Sequence, residues 1–118
     1  MPRRIERVNE QIRREIAEIL LTGTKDPRLG RLVSIVNVET SVDLHYAKVL
    51  YSVMGTEKEK AEVAKALESA APFIRKELMS RLKLRHTPEL RFVLDETMER
   101  ADKVLRIMDK LDAEREAD

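Results

Sequence analysis

The sequence contains no cysteine and no tryptophan. Without cysteine it has no disulfide, no Cys-ligated metal and no thiol nucleophile. Aromatic residues are scarce as well: Tyr46, Tyr51, Phe73 and Phe92 are the only ones. The core must therefore be aliphatic, and an extended platform for stacking successive bases is excluded. The glycines, Gly23, Gly30 and Gly55, are too far apart to build a phosphate-cradling loop. Amide side chains are limited to Asn9, Gln11 and Asn37. With so many charged residues, this scarcity hints at a thermophilic source. There is no long apolar run, and the N-terminus turns amphipathic at once, without the apolar core of a signal peptide. A soluble cytoplasmic protein is the expectation, with no membrane partner.

What is present is charge. Charged residues make up 38% of 118 residues, against roughly 25% in an ordinary domain. The net charge of +1 is uninformative, but its distribution is not. Residues 1–31 carry a net +3, residues 32–72 a net −2, residues 73–94 a net +4 and residues 95–118 a net −4. Two basic segments thus alternate with two acidic ones. The length suits one domain, expected over residues 1–112, with a polar and frayed tail at 113–118.

Hydrophobic spacing gives the elements. Ile5, Val8, Ile12, Ile16, Ile19 and Leu20 recur every three or four residues, which predicts a helix from residue 3 to about 22, ended by Gly23. Residues 25–30 read as a loop shaped by Asp26 and Pro27. Val- and Ile-rich stretches at about 31–39 and 46–54, joined by a short turn, predict an antiparallel hairpin. Thr56 and Glu59 make a capping box for the next helix. Pro72 lacks a backbone donor and disfavours the helical region for Ala71, so that helix should break near Ala71 and restart at Pro72. Residues 89–94 predict a third strand with Leu90, Phe92 and Leu94 on one face. Asp95 or Thr97 caps a last helix bearing Ala101, Val104, Ile107, Met108 and Leu111. The fold class is α+β, in the order expected of a single type II KH-like domain: three strands with helices on one face.

Particular residues narrow this further. Arg7-Val8, the helix end at 16–20, Lys25-Asp26-Pro27-Arg28-Leu29-Gly30 and the turn Ser41-Val42-Asp43-Leu44 come first. Ala47-Lys48-Val49, Phe73-Ile74-Arg75, Leu84-Arg85, Pro88-Glu89-Leu90-Arg91-Phe92 and Asp95 follow in order. Together they resemble the ribosome-binding factor A family. The resemblance implies a cytoplasmic bacterial protein that binds 16S rRNA in the immature small (30S) ribosomal subunit. It implies help with maturation of that RNA's 5′ end without cutting it, a role in the cold, and no cofactor. KH domains grip nucleotides with a Gly-x-x-Gly loop. The family puts an Ala-x-Gly kink there, and this chain has Ala70-Ala71-Pro72. Proline offers no N–H and no close backbone approach, which argues against nucleotide gripping at the kink.

The candidate RNA contacts are cationic, because the phosphate backbone dominates such binding. They are Arg75, Lys76, Arg81, Lys83 and Arg85, with Arg91 nearby, then Lys25, Arg28 and Arg31, then Arg4 and Arg7, with Arg3 and Arg14 in the same helical stripe. The alternative for each is a solvated face with helical ion pairs such as Glu10 to Arg14. His45 and His86 are far apart in sequence, and neither has a second ligand at metal spacing. No residue pattern marks a catalytic centre, a metal site or a small-molecule substrate. Three other readings compete: a general single-strand RNA binder, which the missing Gly-x-x-Gly disfavours, a protein–protein module using the acidic last helix, and an enzyme, which has no positive support, so a non-enzyme is the expectation. A monomer is the default.

Overall fold

The computed structural model describes residues 2–83 and 86–117. Helix α1 (Pro2–Glu18) continues into one wider π-helical turn, Ile19–Gly23, after which Thr24 is extended. Ile12, Ile16 and Ile19 are fully buried, as their spacing requires. The run ends at Gly23 as expected, although without a left-handed glycine.

The stretch read as a loop at residues 25–30 is instead a short helix, α2 (Pro27–Arg31). Asp26 caps it, accepting the Arg28 backbone N–H at 3.0 Å, and Pro27 takes the first position, where a missing N–H costs nothing. Gly30 sits in this helix for a steric reason. A Cβ there would lie 2.9 Å from the Leu20 carbonyl oxygen and 3.2 Å from the Leu21 Cα. Only a residue without a side chain lets α2 lie this close to the π turn.

Strand β1 (Val33–Thr40) begins later than expected because α2 holds Arg31. It pairs antiparallel with β2 (Tyr46–Val53). A bulge between Ile35 and Asn37 makes both Ile35 and Val38 point inward. The turn between the strands is held by Asp43, which accepts from the Ser41 hydroxyl and the His45 N–H, and Leu44 takes a left-handed φ of 60°. Strand β3 (Glu89–Leu94) lies parallel to β2 on its other side, giving the order β1-β2-β3.

Helix α3 (Glu57–Arg81) crosses between them. The Thr56–Glu59 capping box is formed on both sides. The break expected at Ala71 is absent, and one helix of 25 residues runs through Pro72. Pro72 and Glu68, whose carbonyl loses its partner, are both exposed, so water can take the orphaned oxygen. Burial of Val63 and Leu67 before the proline, and of Ile74 and Leu78 after it, holds both halves against the sheet. These side chains meet those of α1 and the inward residues Ala47, Val49, Tyr51 and Leu90 in one core.

Helices α1 and α3 cover one face of the sheet. Helix α4 (Thr97–Ala117) does not join them. It starts at Asp95, which accepts the Thr97 N–H, and it continues as helix through the polar segment expected to fray. Val104, Leu105, Ile107, Met108 and Leu111 are each more than half exposed. Lys60 of α3, itself nearly buried, ties α4 to the body through Glu99 at 2.6 Å.

Two substitutions test this account. Pro72→Ala should raise the unfolding free energy by about 1–3 kcal/mol in urea denaturation, since it restores a helical hydrogen bond. Gly30→Ala should lower it by about 1–3 kcal/mol by forcing α2 off the π turn. An unchanged urea midpoint for either would refute the corresponding contact.

Candidate nucleic-acid interface

The motif at residues 25–30 and the middle of α3 face each other across an open cleft of about 740 Å³. Leu29, Ala66, Ala70 and Phe73 supply apolar wall, while Lys25, Lys65 and Ser69 supply polar rim. Arg28 spans the cleft. Its guanidinium holds Asp26 at 3.0 Å and reaches Glu62 on α3 at 2.6 Å. The bond from Arg28 holds the Asp26 carboxyl below the usual carboxylate range, and the same partner raises Arg28. Arg28 thus joins α2 to α3, and its charge is already matched.

The other basic candidates divide in the same way. Arg81 lies against Glu15 and Glu18 of α1 and Glu77 of α3, clamping the two helices. Arg75 donates to the Thr87 carbonyl at 2.9 Å, fixing the connector that leads into β3. Arg14 sits 3.2 Å from Glu10, whose carboxyl is pulled down to about 2, chiefly by its hydrogen bond from Arg13. By contrast, Lys25, Arg31, Lys76, Lys83, Arg4 and Arg7 are exposed, with no ion pair among the described residues. Arg85 lies outside the described residues, and so does the side chain of Arg3. Ala70 is half-buried and lines the cleft, Ala71 is half-buried without lining it, and Pro72 is exposed.

Sequence reasoning missed two features of the other side. His45 and His86 are distant in sequence, yet their rings stack with centroids 5.9 Å apart. The parallel β2–β3 pairing brings them together, with the Glu89 N–H donating to the His45 carbonyl. Beside them the Arg91 guanidinium lies over the Tyr46 ring, 5.0 Å from its centroid. No signal short of strand order and direction would have revealed either contact. Among the described residues there is no group of three or more His, Cys, Asp or Glu side chains placed to hold a metal ion, and no helix long and apolar enough to cross a membrane.

The Asp26–Arg28 pair makes a pH prediction with a definite sign. A carboxyl whose folded pKa is lowered contributes stability above its unfolded value, about 3.9, and loses it as pH falls through the folded value. Asp26→Asn keeps the cap but removes the ion pair. Thermal melts should show wild type and variant converging toward pH 2 and separating above about pH 5. A constant difference at every pH would refute the pair's contribution.

Comparison with known proteins gives one answer throughout. The family model for ribosome-binding factor A matches residues 4–108. The ribosome-binding factor A of Acetivibrio thermocellus is 48% identical over 111 residues, covering 94% of this chain and 90% of its own. That of Dictyoglomus thermophilum is 45% identical, covering 100% of this chain and 98% of its own. A Thermotoga maritima protein described as a ribosome-binding factor A, solved in solution, shares the fold. It has a TM-score of 0.65 and 34% identity, over 74% of this chain and 82% of that one. A Thermus thermophilus ribosome-binding factor A, a homology model fitted into a cryo-EM map of its complex with the 30S subunit, gives 0.59 and 25%, over 74% and 90%. The motif order, the three-stranded sheet with its two packed helices, and these matches place the chain in the ribosome-binding factor A family.

Proposed function

We propose that this protein binds the immature small ribosomal subunit through 16S rRNA and favours one RNA fold, so that separate nucleases mature the 5′ end. The observation that carries this reading is the likeness to the Thermus thermophilus chain in the 30S complex. The charge arrangement supports it. Lys25, Arg31, Lys76, Lys83, Arg4 and Arg7 are free to meet phosphates, whereas Arg28, Arg75 and Arg81 hold the scaffold. The protein catalyses nothing in this scheme. It shifts a population of RNA conformers by binding one of them better. A role in the cold follows from the same logic, because misfolded RNA escapes its traps more slowly as temperature falls.

A second reading is favoured by α4. Its row of half-exposed apolar side chains and its acidic surroundings suit a protein partner rather than RNA. Recruitment of another factor would use that helix.

Co-sedimentation with purified small and large subunits across a salt series tests the first reading. Association with the small subunit alone is expected, weakening steeply as salt rises. Lys25→Ala, Lys76→Ala and Lys83→Ala should each weaken it several-fold and flatten the salt slope by about 0.7–0.9 per lost phosphate contact. Binding to both subunits alike, or no effect of salt, would contradict the RNA-based reading. Loss of binding only when residues after 111 are removed would favour the recruitment reading.

A further inference from the structure

The sheet has a second face, and neither α1 nor α3 covers it. Along β2 the exposed or half-exposed residues Tyr46, Lys48, Leu50 and Ser52 alternate with the buried Ala47, Val49, Tyr51 and Val53. Along β3, Glu89, Arg91 and Val93 are exposed on the same side. The parallel register sets Tyr46 beside Glu89 and Lys48 beside Arg91. Two cations thus stand side by side on neighbouring strands. Like charges in that position repel, and nothing in the core requires them. Neither forms an ion pair among the described residues, although Glu39 lies opposite Lys48 in register. Arg91 instead rests on the Tyr46 ring.

At the same end of the sheet, where β2 and β3 begin, the stacked His45 and His86 are both exposed. The chain has few aromatic rings, yet two planar pairs form at this end of the sheet: His45 on His86, and the Arg91 guanidinium on Tyr46, which follows His45 directly in the chain. Planar groups of this kind stack on nucleobases whatever the base, and each stacked base strengthens binding about 5- to 150-fold. Lys48 and Arg91 stand ready for the phosphates on either side of such a base.

We infer that this end of the open sheet face is a site for a short unpaired RNA segment, one or two nucleotides long, separate from the helical side of the molecule. The acids Glu39 and Glu89 share the face, so the patch is poorly suited to tracking a long phosphate backbone. Stacking, with two phosphate contacts, is the mode that fits. The expected salt dependence is correspondingly shallow, with a slope of about −1.4 for two contacts to a single strand. This inference deepens the proposed RNA binding by naming the kind of RNA and the residues. It also stands apart from it, because a free oligonucleotide tests it without any ribosomal subunit.

The experiment is an NMR titration of the full chain with an unstructured hexauridine, following the aromatic signals of His45, His86 and Tyr46. Those signals should move together at saturable concentrations. Tyr46→Ala should weaken binding about 5- to 150-fold, the range set by one stacked base. Tyr46→Phe, which keeps the ring, should retain binding within about twofold. Lys48→Ala and Arg91→Ala should each weaken it and reduce the salt slope by about 0.7. Binding that leaves the three aromatic signals still while moving residues near Lys25 and Lys76 would overturn the site. So would the absence of binding at millimolar oligonucleotide, even if the protein still sediments with the small subunit. An equal response to inorganic phosphate alone would reduce the patch to a simple anion site and would also overturn it.

Discussion

Strand β3 runs parallel to β2, and two parallel neighbours cannot be joined by a tight turn. The chain must leave the sheet, cross it and return at the starting end. Helix α3 makes that crossing, and much else follows. Its 25 residues span roughly 37 Å at the usual helical rise, enough to carry the chain back along a strand and leave a surplus. The crossing fixes which face of the sheet receives Val63, Leu67, Ile74 and Leu78, and it leaves the opposite face bare. It also brings the connector before β3 back to the β1–β2 turn, which sets His86 against His45.

The helical side is organised by ion pairs that join elements rather than decorate them. Arg28 links α2 to α3 through Glu62, Arg81 links α3 to α1 through Glu15 and Glu18, and Lys60 links α3 to α4 through Glu99. The half-exposed Arg28–Glu62 pair contributes little by itself, about 0–1 kcal/mol, whereas Lys60 and Arg81 are held where water is partly excluded. The effect of these pairs on charge is direct: each of the three cations already has a carboxylate partner. Basic composition in a segment therefore overstates the number of unpaired cations it presents. Gly30 adds a steric counterpart. It leaves room for α2 to lie on the backbone of the preceding π turn.

Helix α4 shows the opposite balance. Asp95 caps its start, but among the described residues its apolar row stays more than half exposed. The body of the protein is closed by α1, α3 and the sheet without it. Its position rests on Lys60 and on the short connector at 95–96.

The sequence by itself determined the elements, because their signals are local. The isoleucine spacing of α1, the Thr56–Glu59 box, the alternation in β2 and the five-residue turn closed by Asp43 each act within a few residues. The family resemblance was legible for the same reason, since it rests on short motifs in order. Local signals also misled where they met packing. Asp26-Pro27 reads equally as a turn or as a helix start, and contacts with the π turn and with Glu62 chose the helix. Pro72 alone argues for a break, but burial on both sides of it outweighs one lost hydrogen bond. Only the tertiary structure decided which charges are spent, that α4 stands apart, and that His45, His86, Tyr46 and Arg91 meet. Those outcomes depend on strand order and direction, and no pattern within a short window of sequence encodes which distant segment becomes a neighbour.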